Sequence, residues 1–246
     1  MDRFFLAGAT WAEPLFLSGE EAHHCTRVMR KRVGEVIEVF DGQGRATRAE
    51  ILEAGKSRVE LNRIEEVRLS AQPSPEISLA VGIPKGKTMD LIIQKAVELG
   101  VTRIQPLICE QGMVKAAPGD KKGEKWQRVA LEACKQCGQN FLPEVYEPLS
   151  VSDFLNQNND AGLAIVAALR PGSCLFEKVF CEHQLNKVTL LIGPEGDFSV
   201  KEYEAAFSAG FIPVDLGDLV LRVETAAIYA ISVIRHEGTR KRSRDN

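Results

Sequence analysis

A chain of 246 residues has room for one large domain or two modest ones, with ample core for either. At 44% hydrophobic and 26% charged its composition is that of a globular protein, and a net charge of −3 supplies no global field that would draw nucleic acid, so such a site has to be a local basic patch. No run of 18 apolar residues could span a membrane, the Met1-Asp2-Arg3-Phe4-Phe5 start has no signal-peptide layout, and six scattered cysteines make no disulfide framework; a reducing cytoplasm is the expected setting.

From the N-terminus, Val36–Phe40 and the stretches 48–52 and 58–64 alternate as half-buried strands do, with turns at Asp41-Gly-Gln-Gly44 and Ala54-Gly-Lys56. The pattern predicts a small β-barrel or sandwich over residues 1–70, interrupted by one helix near 20–30. On that helix His23, Arg27 and Arg30 fall at i, i+4 and i+7 on one polar face, while Cys25, Val28 and Met29 lie on another, and Lys31 and Arg32 extend the positive charge. Such a stripe either binds phosphate or is a solvated helix face; with 11 basic against 12 acidic residues in 1–68, composition does not decide. His23 and His24 are neighbours, so on a helix they point apart and cannot share a metal; no metal site is expected.

Residues 69–76 are rich in proline and serine and mark the boundary to a second domain, 75–246. There, strands at 77–81, Arg103–Ile108, Leu163–Ala167, 188–192 and 212–216 are interleaved with helices at 88–99, 122–138, 199–209 and 225–237. Alternation of this kind predicts a largely parallel sheet with helices on both faces and a ligand beyond the carboxyl ends of the strands. The tail from Gly238 onward is expected to fray.

Two stretches stand out at such strand ends. The apolar run 188–192 stops at Gly193-Pro194, two glycines bracket Glu195, and Ser199-x-x-Glu202 forms a capping box for the next helix. About twenty residues on, Leu216-Gly217-Asp218-Leu219-Val220-Leu221-Arg222-Val223-Glu224-Thr225 repeats the design of strand end, glycine turn and capped helix, which points to one ligand held by two turns. Other motifs fail on spacing. Gly82-Ile-Pro-Lys-Gly-Lys-Thr88 has three residues where a P-loop needs four, and neither a Gly-x-Gly-x-x-Gly fingerprint nor a Gly-x-Ser-x-Gly elbow occurs. Cys134 and Cys137 both fall on the apolar stripe of their helix, as core residues would, with no second pair at zinc spacing.

Taken together, Ile192-Gly-Pro-Glu-Gly196 and Leu216-Gly-x-x-x-Leu-Arg-x-Glu-Thr-Ala226 resemble the cofactor loops of the SPOUT class of RNA methyltransferases. Lys85-Gly-Lys-Thr-Met-Asp90, Gln94-Lys-x-x-Glu-Leu-Gly100, Glu132-Ala, His23-His-x-x-x-Val-Met-Arg30 and the Arg3-Phe4 start resemble its RsmE branch, in order along the chain. The resemblance implies an α/β fold: an N-terminal PUA-like β-barrel and a C-terminal SPOUT domain tied in a trefoil knot, forming a homodimer. It implies methylation of N3 of a uridine in small-subunit (16S) ribosomal RNA with S-adenosylmethionine as cofactor, and the small ribosomal subunit as partner. The cofactor residues it implies are Leu191, Ile192, Gly193, Pro194, Glu195, Gly196, Leu216, Gly217, Leu221, Thr225 and Ala226. Arg222 would stabilise the anion formed on the base or grip RNA phosphate, and Glu224 would take the N3 proton or serve the helix start. Arg3, Arg27, Arg30, Lys31, Lys85 and Lys87 would contact RNA. The helix 225–237, apolar almost all round, has to be buried in a core or an interface.

The chain also departs from that pattern. Asp197 stands where a third glycine is usual, Asp218-Leu219-Val220 where an arginine is usual, Glu110-Gln-Gly where Glu-Arg-Ser is usual, and Gln139 or Asn140 where an arginine closes the long helix. Most of these remove positive charge near the expected RNA surface. They leave two rival readings: a non-catalytic RNA-binding protein of the same fold, or an enzyme of that fold acting on transfer RNA or a ribose 2′-hydroxyl.

Overall fold

The computed structural model describes residues 1–8, 11–112, 121–157 and 162–245, with side chains through 241. The chain divides into two compact units, Met1–Gln72 with Leu131–Leu142, and Pro73–Ala130 with Pro143–Asn246.

The first unit holds β1 (Arg3–Phe5), β2 (Leu15–Ser18), α1 (Gly19–His23), β3 (Val36–Phe40), β4 (Arg45–Ala54), β5 (Arg58–Arg63) and β6 (Arg68–Leu69). The strands run in the order β1-β3-β4-β5-β2, with β6 on β4, and only the β1–β3 pair is parallel. The alternation read from the sequence places Ile37, Val39, Ala49, Ile51, Val59 and Leu61 in one buried cluster with Leu15 and Leu17. The helix expected over 20–30 is shorter and less regular. After α1 the chain makes a π-helical turn, His24–Val28, and Arg30 at φ 54° ends it. A π turn adds a residue to the helical repeat and rotates the side chains beyond it out of the expected register. Cys25 therefore stays buried, but Val28 and Met29, expected beside it, are exposed.

The second unit is built on β7 (Glu76–Gly82), α2 (Thr88–Glu98), β8 (Arg103–Ile108), α3 (Lys122–Cys137), β9 (Glu144–Val145), β10 (Leu149–Ser150), α4 (Val151–Gln157), β11 (Leu163–Ala167), β12 (Cys174–Leu175), α5 (Phe176–Glu182), β13 (Lys187–Ile192), α6 (Val200–Ser208), β14 (Ile212–Asp215) and α7 (Val223–Asp245). The last turns of α3, from Leu131, belong to the first unit. Every pair in the sheet is parallel, in the order β10-β8-β7-β13-β11-β14-β12 with β9 on β8. Because β7 and β13 pair Leu79 with Leu190 and Ala80 with Leu191, the two faces are both apolar. Ala80, Leu191 and Val166 pack with Val151 of α4 and with Tyr203 and Ala206 of α6. α7 packs against α2, β7 and β13.

Two expectations change here. The tail does not fray at Gly238, since α7 runs on to Asp245. Arg235 donates to the carbonyls of Leu99 (3.0 Å), Pro75 (3.0 Å) and Gly100 (2.5 Å), and Lys241 donates to His183 O at 3.0 Å. Gly238 is needed between them, because a Cβ there would lie 2.4 Å from Pro75 Cδ. Of the two cysteines read as core, Cys134 is buried, whereas Cys137 in the last turn of α3 is exposed. Burial pushes the thiol of Cys134 up to about 12, that of Cys109 to about 12 and that of Cys25 to about 11, so all three stay protonated. Among the described residues no helix is long and apolar enough to cross a membrane.

Candidate active site

A parallel sheet brings the carboxyl ends of its strands to one edge, and the loops that leave β7 and β13 there are tied to each other, as the residue after β8 is to α6. In the loop after β13, the Asp197 amide donates to Pro194 O at 2.9 Å, closing a turn in which Asp197 takes the left-handed conformation at φ 64°. Ser199 then caps α6: its hydroxyl accepts from the Glu202 amide at 3.2 Å, and the Glu202 carboxylate accepts from the Ser199 amide at 2.8 Å. The other oxygen of Glu202 accepts from the Glu110 amide, just past β8, at 2.9 Å. Glu195 accepts from the Lys85 amide, past β7, at 2.9 Å. Its carboxylate pins one loop to another.

The failed P-loop motif finds its explanation at this seam. A Cβ on Gly82 would stand 2.6 Å from Pro194 N and 2.7 Å from its Cδ, so the first residue of that motif is glycine to let the β13 loop cross. The loop after β14 turns at Gly217, φ 117°, whose amide donates to Asp215 Oδ1 at 2.9 Å. α7 begins two residues earlier than expected, at Val223, and the Ala226 amide donates to Arg222 O at 2.8 Å. Arg222 is thus the residue before the helix, and Glu224 and Thr225 lie in its first turn.

Between these two loops and the end of β11 lies a cavity of about 440 Å³. Of the residues expected to hold a cofactor, Ile192, Gly193, Pro194, Glu195, Leu216, Gly217, Leu221 and Ala226 line it. Leu191 lies beneath, in the sheet core; Gly196 packs against Gln111 O, and Thr225 is exposed on α7. Arg222 lines the cavity, and Glu224, half-buried, does not; neither side chain has a hydrogen bond or ion pair among the described residues. The sequence reading missed Ala167, Leu169, Tyr203 and Asp215, which complete the wall from β11, α6 and β14. Only their place at strand ends beside the two turns could have signalled them. A larger cavity of about 550 Å³ lies toward the amino ends of the strands, against Ser78, Arg103, Gln105 and Thr189, and contains none of the expected residues.

The wall combines backbone groups of two glycine turns, apolar side chains and the polar groups of Glu195, Asp197, Tyr203, Asp215 and Arg222. That mixture and size suit a nucleoside-containing ligand with both apolar and charged parts. Among the described residues no group of three or more His, Cys, Asp or Glu side chains could hold a metal ion.

The basic residues expected on RNA divide into two sets. Arg27 and Arg30 are exposed beside the π turn, and Lys85 and Lys87 are exposed in the loop after β7. Arg3 is not available: its side chain is 7% exposed, pairs with Glu38 at 2.6 Å, donates to Cys134 O at 2.7 Å and to Asn140 Oδ1, and lies 4.4 Å from the centre of the Phe40 ring. It ties β1 to the carbonyl end of α3. Lys31 is engaged by Asp2 at 2.7 Å and Glu35 at 3.2 Å, which hold its pKa above the ordinary lysine value.

Comparison with known proteins agrees with this layout. The profile described as the RNA methyltransferase domain matches residues 71–235, and that of the RNA methyltransferase PUA domain matches 17–62. The ribosomal RNA small subunit methyltransferase E of Buchnera aphidicola is 31% identical over 89% of this chain and 87% of its own length, and that of Synechocystis is 32% identical over 89% and 71%. The structure of the Neisseria gonorrhoeae protein of that name, bound to S-adenosyl methionine, superposes with a TM-score of 0.86 at 31% identity, covering 96% of this chain and 97% of that one. A Legionella pneumophila structure in complex with the bound cofactor SAM gives 0.87 at 34%, covering 95% and 96%.

Proposed function

We propose an acceptor atom and residue roles for this chain, which belongs to the RNA methyltransferase family and, within it, to the ribosomal RNA small subunit methyltransferase E proteins. It is an S-adenosylmethionine-dependent enzyme that methylates small-subunit (16S) ribosomal RNA. The acceptor is N3 of a uridine. The observation that carries the assignment to this site is the cavity itself, bounded by both glycine turns and lined by Arg222.

When bound, S-adenosylmethionine supplies an electrophilic methyl group on a sulfonium. The protein has to hold it, admit one base and manage one proton. The turns at Gly193–Gly196 and Leu216–Gly217 offer amides and carbonyls where side chains would crowd a nucleoside, and Ile192, Leu216 and Leu221 give it an apolar bed. A uracil N3 carries a proton that must leave, and the charge that develops spreads to the flanking carbonyl oxygens. Arg222 on the cavity wall, with no hydrogen bond or ion pair among the described residues, is the group assigned to stabilise that charge. Glu224, in the first turn of α7 and outside the cavity lining, serves the helix start, where a carboxylate suits the positive end of the helix. A paired uracil hides N3, so the base enters flipped out or unpaired. Arg27, Arg30, Lys85 and Lys87 supply phosphate contacts, which give affinity and salt dependence without choosing a sequence.

A homodimer is part of this reading. Leu219 and Val220, 77% and 87% exposed at the cavity, and Tyr229 on α7, 44% exposed, are apolar surface of the kind a partner subunit covers. Sedimentation at micromolar concentration tests it.

The enzymatic test incubates the protein with methyl-labelled S-adenosylmethionine and small subunits lacking the modification, then digests the RNA to nucleosides. Labelled 3-methyluridine is expected. A labelled 2′-O-methylnucleoside, or no product from a protein that binds no cofactor, overturns the assignment.

A further inference from the structure

Asp197, with Leu219 and Val220, is among the cavity residues that depart from the resemblance, and it is the charged one of the three. Its backbone is left-handed at φ 64°, a conformation aspartate tolerates better than most side chains. Oδ1 accepts from its own neighbour's amide, Phe198, at 2.8 Å and from the Tyr203 hydroxyl at 2.6 Å, and it sits 3.1 Å from the place a Cβ on Gly193 would occupy. Tyr203 is itself fixed: its ring meets Phe198 edge-on and carries the Arg170 guanidinium 4.0 Å above its centre. Burial and Asp197 raise the phenol's pKa, so it remains a donor. One carboxylate oxygen is thus committed, while Oδ2 has no hydrogen bond among the described residues, and the residue lines the cavity. A side chain held this firmly on the wall of a binding site acts on what the site contains.

Resting on the reading of this cavity as the cofactor site, we infer that Asp197 is a specificity-determining residue that selects the cationic methyl donor over the neutral thioether product. S-adenosylmethionine and S-adenosylhomocysteine share adenine, ribose, ammonium and carboxylate; they differ by one methyl and by the positive charge on sulfur. A fixed carboxylate in the shared cavity favours the charged partner and weakens its hold once the methyl has left. Asp215 and Glu195 add negative charge to the same wall, and each, like Asp197, spends one oxygen on a loop amide; Glu195 ties one loop to another through Lys85, whereas the Asp197 bonds stay with Phe198 and Tyr203 beside it.

Titration calorimetry on the whole protein with S-adenosylmethionine, S-adenosylhomocysteine and sinefungin, whose amine carries a positive charge near the sulfur position, tests this. Asp197→Asn keeps the acceptor for Tyr203 and the tolerance for positive φ, removes the charge and exchanges Oδ2 for an NH2 donor. The expected result is a roughly five-fold loss of affinity for S-adenosylmethionine and sinefungin with S-adenosylhomocysteine unchanged. Asp197→Gly, the usual family residue, should show the same pattern, and Tyr203→Phe, which keeps the charge, should preserve the ratio of donor to product affinities. Equal weakening of all three ligands would place the carboxylate on the shared ammonium and overturn the inference, as would no change in any of them. Wild-type protein that binds none of the three would instead overturn the reading of the cavity, and the inference with it.

Discussion

Gly82→Ala is the sharpest test of how the site is built. Gly82 ends β7 where Pro194 crosses from β13, and an alanine methyl there would lie 2.6 Å from Pro194 N, against the 3.4 Å at which ordinary contact begins. Something has to give by about 0.8 Å. Pro194 cannot rotate aside because its ring closes on that same nitrogen, and Glu195 next to it is tied to the Lys85 amide. Either the β7–β13 pairing, six residues long, spreads at its end, or the turn that walls the cavity moves. Overpacking of this kind costs about 1–3 kcal/mol, which lowers the melting temperature of a chain this size by several degrees. If the turn takes up the displacement, S-adenosylmethionine affinity falls about ten-fold, for about 1.4 kcal/mol of binding energy. Thermal unfolding and calorimetry on the same preparations read both. The opposite result is equally well defined. Gly82 is not in the left-handed region, so its backbone alone would accept alanine, and lost freedom of the unfolded chain would then stabilise by about 0.4–1 kcal/mol. An unchanged or higher melting temperature with unchanged affinity would refute the crossing argument.

Charge reversal at Arg27 and Arg30 together should weaken RNA binding and flatten its salt dependence while S-adenosylmethionine affinity stays level; calorimetry showing both falling together would count against that division of labour. Arg3→Ala should instead destabilise the first unit by about 1–3 kcal/mol, because Glu38 loses one of its two charged partners, keeping Arg68, and the end of α3 loses a donor; circular dichroism melts would reveal it, and an intact fold with reduced RNA affinity would restore Arg3 to the RNA surface. Acid should act on the same place. Burial works against the charged form of Glu38, yet the hydrogen bonds from Arg68 and Arg3 outweigh it and hold the carboxyl below its ordinary value. Its stabilising contribution is therefore complete above the ordinary value of 4.5 and drains away as pH falls through the lower folded value. Glu38→Gln should remove that part of the acid sensitivity in melts taken between neutral pH and pH 3.

Much of the second unit was legible because buried parallel strands and amphipathic helices write different periods into the sequence. Arg103–Ile108 and Leu163–Ala167 match at both ends, and Ser199 with Glu202 announced α6. The small elements β9, β10, β12 and the short helices α4 and α5 gave too few residues for either period to show. The π turn after α1 could not be read, since a helical wheel assumes the repeat it breaks, and so Val28 and Met29 fell on the wrong face. Arg3, Arg27 and Arg30 look alike as letters. Arg3 differs because residues far along the chain, from Cys134 to Asn140, come back to meet it, and separation of that kind leaves no local trace. Within the site the glycine turns were visible, but Tyr203 and Ala167 reach the cavity only through the packing of α6 and β11.

The departures from the family pattern fall where this architecture can absorb them. The cavity's shape is set by Gly82 beneath Pro194, by the Gly217 turn on Asp215, and by Glu195 and Glu202 holding the amides of neighbouring loops. None of these ties passes through the side chains of Asp218, Leu219 or Val220, which project from a turn already fixed by its backbone. Asp197 does not break its own turn either, because its amide still closes on Pro194 and its carboxylate satisfies Phe198 and Tyr203. Side chains that take no part in these ties are free to change what the pocket prefers to bind. Asp197 puts a carboxylate on the cavity wall while Leu219 and Val220 put apolar surface there, so this rim is better suited to a cation than to phosphate. On the proposed reading, RNA grip rests on Arg222, Lys85 and Lys87 in the second unit and on Arg27 and Arg30 in the first, which is where charge reversal should cost most.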